Sequence, residues 1–431
     1  MKGIGDFMSN CAIVGITWGD EGKGRMVDLL SKDFDIVCRY QGGNNAGHTV
    51  VNDFGEFKLN LLPSGICREN VINVLGNGTV IDLEHLFGEV NKLRERGIKI
   101  DATNFRISNR AIVCMPYHRE QDVYEEERLA GKKYGSTRRG IAPVYGDKYM
   151  KKAIQMCELL DEDYLRRHVA DILEFKNLFI SKVYGGKTYT VEEIMDWIKQ
   201  FGYPFRDCIC DTGELLLQAQ KDGKNIMFEA QLGALRDIDF GIYPYTSSST
   251  TLAAYAPIGS GIPFLKLDRV VGVAKAYSTA VGEGPFICEW HDERADDLRK
   301  AGNEFGVATG RPRRVGPIDL VATKYGTRMQ GATEIGLTKL DVLSYMKEID
   351  LCVGYEINGQ LCTVFPTTPE LENAKPVFIT MPGWQCDISK VTRYEDLPVQ
   401  ARKYVEYIEK FIECPIKFVS VGAKRDEIIY R

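Results

Sequence analysis

Residues 18–24 form a glycine-rich turn that carries a carboxylate and an amine, a combination suited to phosphate chemistry. The turn reads Trp-Gly-Asp-Glu-Gly-Lys-Gly and lies between a short apolar run and a segment with helical spacing. Glycine N–H groups, a helix N-terminus and the amine of Lys23 can together bind anionic oxygens. The sequence therefore predicts a phosphate-binding turn.

The turn departs from the usual P-loop at two positions. Thr17 stands where a P-loop has its first glycine, and Gly24 stands where it has the hydroxyl residue that ligates magnesium. Instead, Asp20 places a carboxylate inside the turn. An aspartate in a turn is often a helix cap or an exposed turn residue. Beside bound phosphate, however, a carboxylate is repelled unless a metal lies between them or the carboxylate acts as a base, and the nearby Lys23 favours this chemical role.

His48 is the second candidate for chemistry. It ends a loop, residues 41–48, that contains three glycines and follows a predicted buried strand. Such loops reach the ligand-binding edge of an α/β sheet. An imidazole there can donate to a developing oxyanion or to a phosphoryl oxygen. The other histidines lack that setting and are expected to be structural: His85, His118, His168 and His291.

Two arginine clusters and one short motif are candidate ligand-binding elements. Arg311, Arg313 and Arg314 share a glycine-bounded loop, and residues 138–139 form a second pair. Such clusters are either anion clamps or solvated faces. Residues 338–341 (Thr-Lys-Leu-Asp) look like the guanine-reading element of G proteins, because an aspartate can accept two hydrogen bonds from guanine.

The pattern of apolar runs predicts how these residues are positioned. Short buried strands are predicted at residues 12–16, 35–40, 71–75, 225–229, 269–275, 334–337 and 416–420. Helices are predicted at residues 26–30, 82–95, 121–129, 153–175, 191–201 and 398–413, and hairpins at 50–62 and 351–364. Strands alternating with helices favour an α/β fold with a mainly parallel central sheet flanked by helices, P-loop-NTPase-like, with helical and β-hairpin additions. We expect a flexible extension over residues 1–10 and one catalytic domain over residues 11–431.

Composition limits the class of protein. The chain has 431 residues, 44% hydrophobic and 27% charged, as is ordinary for a soluble globular protein. A net charge of −5 gives little electrostatic support for a nucleic-acid or membrane-surface partner. The sequence contains no apolar run of membrane-spanning length. Twelve scattered cysteines predict reduced thiols in a cytoplasmic protein, and Cys208 and Cys210 are too isolated to predict a metal site.

Taken together, the motifs resemble those of the adenylosuccinate synthetase family. The match runs from the turn at residues 18–24 through Gln-Gly-Gly-Asn-Asn-Ala-Gly-His at 41–48 to Lys-Leu-Asp at 339–341. Further matches lie at residues 62–66, 76–78, 275–279, 302–306 and 381–384. The resemblance implies a homodimeric ligase that uses GTP and Mg²⁺ to join IMP to L-aspartate through 6-phosphoryl-IMP.

The resemblance also implies residue roles. Asp20 would be the base and, with the Gly47 carbonyl, a magnesium ligand. Lys23 and His48 would stabilise the transferred phosphoryl group, and Gln231 would be a further catalytic residue that contacts IMP. The implied GTP site contains Gly19, Glu21, Gly22, Lys23, Gly24, Gly47, His48, Thr49, Arg313, Lys339, Leu340, Asp341, Ser420, Val421 and Gly422. The implied IMP site contains Asp20, Lys23, Asn45, Ala46, Gly47, His48, Thr137, Lys151, Gln231, Ser247 and Arg311. The implied aspartate site contains Val307, Ala308, Thr309, Gly310, Arg311, Pro312 and Arg313.

Several positions depart from the family pattern. The family's Glu-Gly-Ala-Gln-Gly is here Glu-Ala-Gln-Leu-Gly at residues 229–233, so Gln231 is displaced by one position and Leu232 occupies its aligned place. Gln231 can therefore take the role of the family's glutamine only if the backbone is shifted here. Lys151 stands where the family has an arginine that reaches IMP in the partner subunit, and lysine lacks the bidentate fork. The remaining departures are Arg25 for lysine, Ser247 for threonine, Arg138 for glycine, and Pro312 within the arginine run.

Two alternatives remain open at this stage. A related GTP-dependent ligase could use a different nucleotide or amine, given the altered positions of Gln231 and Lys151. A non-enzymatic GTP-binding regulatory protein is the other alternative. The predicted substrate-side loops at residues 45–48 and 307–313 argue against it, since a switch needs no aspartate clamp.

Overall fold

The structure is a computed structural model that describes residues 10–52, 55–305, 310, 312–424 and 427–431. The strands are β1 Asn10–Gly15, β2 Ile36–Arg39, β3 His48–Asn52, β4 Gly55–Leu59, β5 Ile72–Leu75, β6 Val80–Ile81, β7 Phe105–Ser108, β8 Ile112–Val113, β9 Ile209–Cys210, β10 Ile226–Gly233, β11 Arg269–Lys275, β12 Ser278–Ala280, β13 Arg314–Gly316, β14 Ile318–Asp319, β15 Glu334–Thr338, β16 Glu348–Ile357, β17 Gln360–Cys362, β18 Lys375–Pro382, β19 Ile416–Ser420 and β20 Ile428–Tyr430. The α-helices are α1 Lys23–Leu30, α2 Leu83–Arg94, α3 Pro116–Leu129, α4 Ile141–Tyr149, α5 Glu162–Phe179, α6 Val191–Phe201, α7 Thr212–Lys221, α8 Ala256–Ser260, α9 Glu293–Gly302, α10 Leu320–Gln330, α11 Thr368–Leu371 and α12 Val399–Ile412.

A central sheet organises the described part of the chain. Its ten strands have the order β20-β19-β15-β11-β1-β10-β2-β5-β7-β9. Every neighbouring pair is parallel except β19 and β20, which are antiparallel. The predicted α/β fold with a mainly parallel sheet is confirmed. Because parallel strands end at the same edge, the loops after β1, β2, β10, β11, β15 and β19 gather there.

The strands at the middle of the sheet are buried on both faces. All six residues of β1 are buried, and so are all four of β2. Parallel strands covered by helices read as continuous apolar runs, and this property made them visible in the sequence. The predicted hairpin at residues 50–62 is confirmed as β3 paired antiparallel with β4. The hairpin of β16 and β17 is confirmed too, and β18 pairs with the other edge of β16.

Several predicted boundaries were wrong for identifiable reasons. The helix expected at 153–175 begins only at Glu162, because Asp161 caps it by accepting from the Tyr164 N–H. The charged helix expected from residue 121 begins at Pro116, a residue favoured in the first helical turn. Helix α7, capped by Asp211, was not predicted. Strand β1 already includes Asn10, whereas residues 1–9 lie outside the described residues. Among the described residues, no helix combines the length and apolarity needed to cross a bilayer.

Candidate functional site

The glycine turn follows β1 at the centre of the sheet. Gly19 and Asp20 have positive φ angles of 103° and 59°, and Gly22, the N-cap of α1, has a φ of 96°. Turns with positive φ angles can point backbone N–H groups into a concavity that suits an anion. The predicted strand, turn and helix are therefore present, with the Asp20 carboxylate 32% exposed at the turn.

The Glu21 carboxylate makes hydrogen bonds and an ion pair within the turn. Its carboxylate accepts from the N–H groups of Thr17 at 3.1 Å and Gly19 at 2.8 Å. It also accepts from Nζ of Lys23 at 2.6 Å, and both side chains are buried. The buried ion pair therefore fixes the ammonium of Lys23 within the glycine turn.

The Asp20 carboxylate has a cationic partner from a distant part of the chain. Nη2 of Arg313 lies 3.1 Å from Oδ2 of Asp20. Arg313 is one of the arginines that the sequence predicts as an anion clamp, and it stands between Pro312 and strand β13. The structure thus brings the candidate base and the end of the predicted aspartate segment together.

Gln231 fastens the loop that follows β2. Its amide is fully buried, and its Oε1 accepts from the Gly43 N–H at 3.1 Å. Its Nε2 donates to the carbonyls of Gly43 at 3.1 Å and Ala46 at 3.2 Å. Among the described contacts, the displaced glutamine therefore uses its amide to hold the predicted IMP loop.

A bulge supplies the shifted backbone that this glutamine requires. Ile13 of β1 pairs with Glu229 of β10, yet Gly15 pairs with Gly233, so β10 advances farther than β1. Within the bulge, Leu232 has a φ of 63°, a conformation rare for a residue with a Cβ atom. The bulge explains how Gln231 can face the loop although Leu232 occupies its aligned place.

The predicted guanine-reading residues also meet at the carboxyl edge of the sheet. Strands β15 and β19 are parallel neighbours, so residues 339–341 and residues 420–422 both lie at that edge. Oδ1 of Asp341 is buried and has no hydrogen-bond partner among the described residues, and burial raises the pKa of this carboxyl group. Nη1 of Arg25 donates to Oγ of Ser420 at 2.6 Å, which ties α1 to the end of β19.

The remaining predicted site residues fall into three groups. Asn45 and Ala46 are partly buried and Gly47 is exposed, and the side-chain oxygen of Asn45 is buried without a hydrogen-bond partner among the described residues. Thr137 and Lys151 are exposed, and Ser247 is partly buried. The side chains of His48 and Thr49, and all of Val307, Ala308, Thr309 and Arg311, lie outside the described residues.

Some residues near the site were not predicted from the chemistry of their side chains. Gln41 is buried, and its amide bridges the Gln231 carbonyl and the Ser249 hydroxyl. Lys275 and Glu304 form a buried ion pair with a distance of 3.0 Å. Both belong to stretches quoted for the family resemblance, but their residue types alone gave no sign of a partner.

Two groups of donor atoms have the chemistry of metal ligands. The Asp20 carboxylate and the Gly47 carbonyl are hard oxygen donors, and so small a protein set suits Mg²⁺, which keeps water and phosphate ligands. The donor atoms of Cys288, Asp319 and Cys352 lie within 4.8 Å of one another. However, Asp319 already accepts from the Ala322 N–H, the Cys288 thiol and the Tyr355 hydroxyl. This second set is therefore a buried hydrogen-bond network whose acceptors are satisfied.

Comparisons with known proteins match nearly the whole chain to one family. The family model for adenylosuccinate synthetase matches residues 12–429. The adenylosuccinate synthetase of Desulforamulus reducens is 44% identical over 423 residues, 98% of both chains. That of Caldanaerobacter subterraneus is 43% identical over 98% of this chain and 99% of its own. The fully ligated adenylosuccinate synthetase of Plasmodium falciparum is 35% identical, with a TM-score of 0.92 over 98% of this chain and 100% of its own.

Proposed function

The chain belongs to the adenylosuccinate synthetase family, and we propose that Asp20 in its glycine turn is the base of the family's reaction. The enzyme is a ligase that joins IMP and L-aspartate at the expense of GTP in purine biosynthesis. The observation that carries the assignment is the carboxylate of Asp20 in a left-handed turn, beside a buried lysine and a P-loop-like helix N-terminus.

The first step uses the turn. Asp20 takes the N1 proton of IMP, and the electron pair released makes the 6-oxygen a nucleophile toward the γ-phosphorus of GTP. The bond between the γ-phosphorus and its bridging oxygen breaks, and GDP leaves. Lys23 and His48 stabilise the charge on the transferred group, as positioned cations and donors do in phosphoryl transfer.

The second step uses the aspartate side. Phosphorylation turns a poor leaving oxygen at C6 into a good one, so the amine of aspartate forms the C–N bond at C6, loses a proton and displaces inorganic phosphate. In this proposal residues 307–313 bind the aspartate, with Arg311 also close to IMP and Arg313 close to GTP. The residues proposed to bind IMP include Asn45, Ala46, Thr137, Ser247 and Gln231. Residues 339–341 and 420–422 bind the guanine, for which the buried Oδ1 of Asp341 is a free acceptor among the described residues.

Mg²⁺ is proposed as the cofactor, held by Asp20 and the carbonyl of Gly47. When bound, the ion neutralises charge on the phosphates of GTP. We also propose a homodimer: Tyr149 is 77% exposed and Met150 is 54% exposed, directly before Lys151, and exposed apolar side chains are typical of interfaces. A cytoplasmic location is proposed because all twelve cysteines are free thiols, as a reducing compartment maintains.

The decisive experiment compares Asp20→Asn with the unchanged enzyme. Asparagine tolerates a positive φ and keeps the shape of the side chain, so the turn should persist. We expect kcat to fall by roughly 10²–10⁴-fold, the usual contribution of a general base. Phosphate release and adenylosuccinate formation would be measured with IMP, aspartate and GTP, and IMP and GTP binding by calorimetry.

The matched control is Asp387→Asn. Asp387 is an exposed loop aspartate that accepts from the Ser389 N–H at 2.8 Å, and its replacement should leave kcat unchanged. An Asp20→Asn enzyme that turns over within tenfold of the unchanged enzyme would exclude Asp20 as the base. Substrate tests with other nucleotides and amines address the remaining alternative ligase.

A further inference from the structure

One fully buried carboxylate, that of Glu304, connects the guanine side of the site with the aspartate side. Its Oε1 accepts from Nζ of Lys339 at 2.7 Å and from Nζ of Lys275 at 3.0 Å. The hydroxyl of Tyr277 donates to the same oxygen at 2.5 Å. Its Oε2 instead accepts from Nη1 of Arg313 at 2.6 Å. The two oxygens of one rigid group therefore serve two different parts of the site.

The carboxylate is charged in this setting. Burial opposes ionisation, but Lys275, Lys339 and Arg313 together hold the pKa of Glu304 well below its usual range. Glu304 has no solvent exposure, so water cannot replace a lost cationic partner. A displacement of Lys339 should therefore shift the Glu304 carboxylate and, through it, the guanidinium of Arg313. The reverse should hold for a displacement of Arg313.

The backbone fixes Glu304 to the same segment as Arg313. The Arg313 N–H donates to the Glu304 carbonyl at 3.0 Å, and Phe305 forms an antiparallel bridge with Pro312. Lys339, directly after β15, also donates to the carbonyl of Gly302 at 2.7 Å. The end of α9 is thus connected to the guanine-reading residues on one side and to Arg313 on the other. Arg313 continues the chain of contacts to Asp20.

We propose that Glu304 is a positioning residue that couples the binding of GTP to the binding of L-aspartate. The proposal rests on the proposed function, which places Lys339 in the guanine pocket and Arg313 in the aspartate-binding segment, close to GTP. Guanine docking against Lys339 fixes the orientation of the Glu304 carboxylate, and that carboxylate fixes the guanidinium of Arg313. Each ligand then binds more tightly when the other is present, with a coupling factor in the usual range of about 5- to 150-fold.

The test measures this coupling factor directly. The dissociation constant of a non-hydrolysable GTP analogue would be measured with IMP present, with and without saturating L-aspartate. For the unchanged enzyme we expect aspartate to tighten the analogue at least fivefold. In Glu304→Gln one acceptor oxygen becomes an amide nitrogen, so the side chain can no longer accept from Arg313 and from Lys339 together, and the coupling factor should fall below two. The KM values for GTP and aspartate should rise together, while the KM for IMP stays within about twofold.

Tyr277→Phe is the matched control. It removes one hydrogen bond to Oε1 but leaves both Lys339 and Arg313 on the carboxylate, so the coupling factor should persist. Should Glu304→Gln fail to fold, Glu304→Asp supplies the same measurement, because it keeps the charge but is too short to reach both partners. An unchanged coupling factor in the variant, or a factor near one in the unchanged enzyme, would overturn the proposal. An unchanged enzyme that makes no adenylosuccinate would instead refute the proposed function.

Discussion

Replacement of Gln231 by alanine tests how the displaced glutamine works. Its amide makes three hydrogen bonds to the backbone of residues 43–46, and each buried hydrogen bond contributes about 1 kcal/mol net. Water can enter the space left by the side chain and recover part of this, so we expect a loss of about 2–3 kcal/mol in holding the loop. If that loop binds IMP, kcat/KM for IMP falls roughly 30- to 150-fold.

The assay separates a loop effect from a general loss of stability. Initial rates at varied IMP, with GTP and aspartate saturating, give kcat/KM for IMP, and thermal unfolding gives the stability of each variant. Gln330→Ala is the matched control, since the Gln330 amide is also buried. Its amide likewise makes three backbone hydrogen bonds, to Gly15, Thr251 and Ala253.

Both variants should therefore lose stability to a similar extent, but only Gln231→Ala should lose affinity for IMP. An unchanged kcat/KM for IMP in Gln231→Ala, with the stability loss present, would refute the reasoning. It would mean that the loop does not need its glutamine to receive IMP.

Two further predictions concern the guanine pocket and pH. Asp341→Asn removes a charged acceptor from the proposed guanine site. The KM for GTP should therefore rise roughly 10- to 100-fold, while kcat and the KM for IMP are preserved. An unchanged KM for GTP contradicts the assignment. Burial raises the pKa of Glu89 from 4.5 to about 7, so between these pH values the folded chain keeps a proton that the unfolded chain releases. Relative to Glu89→Gln, the unchanged protein should thus lose about 3 kcal/mol of stability as pH rises through that window, and nothing more above it. Melting temperatures of both proteins at pH 5 and pH 8 check this, and a difference that does not vary with pH contradicts it.

The central strands were predictable because burial on both faces leaves a continuous apolar signature. Strand β11 was placed at its observed bounds, Arg269–Lys275, and β19 at Ile416–Ser420. The start of α5 was not predictable from periodicity alone. Apolar spacing continues through the 3-10 turn Met156–Leu160, and the helix is started instead by the local cap at Asp161.

For the candidate site, too, the local sequence motifs were predictable, whereas contacts between residues far apart in the chain were not. The glycine turn, the guanine motif and the need for a shifted backbone at Gln231 are all local features, and each has a structural counterpart. The partners of Glu304 are not local, because Lys275 and Lys339 lie 29 and 35 residues away along the chain. A glutamate after a helix is ordinary in sequence. Only the sheet topology brings it beneath the ends of β11 and β15.

Charge explains why this phosphate-binding turn can contain the Asp20 carboxylate. The group formed by Lys275, Lys339, Arg313, Glu304 and Asp20 has three cations and two carboxylates, so it keeps one positive charge in excess. A lone aspartate in the turn would repel the phosphates of GTP. With this group beside it, the turn remains favourable for anions while the base stays in place. Loss of any one of the three cations should therefore weaken phosphate binding, although only Arg313 contacts Asp20 among the described residues.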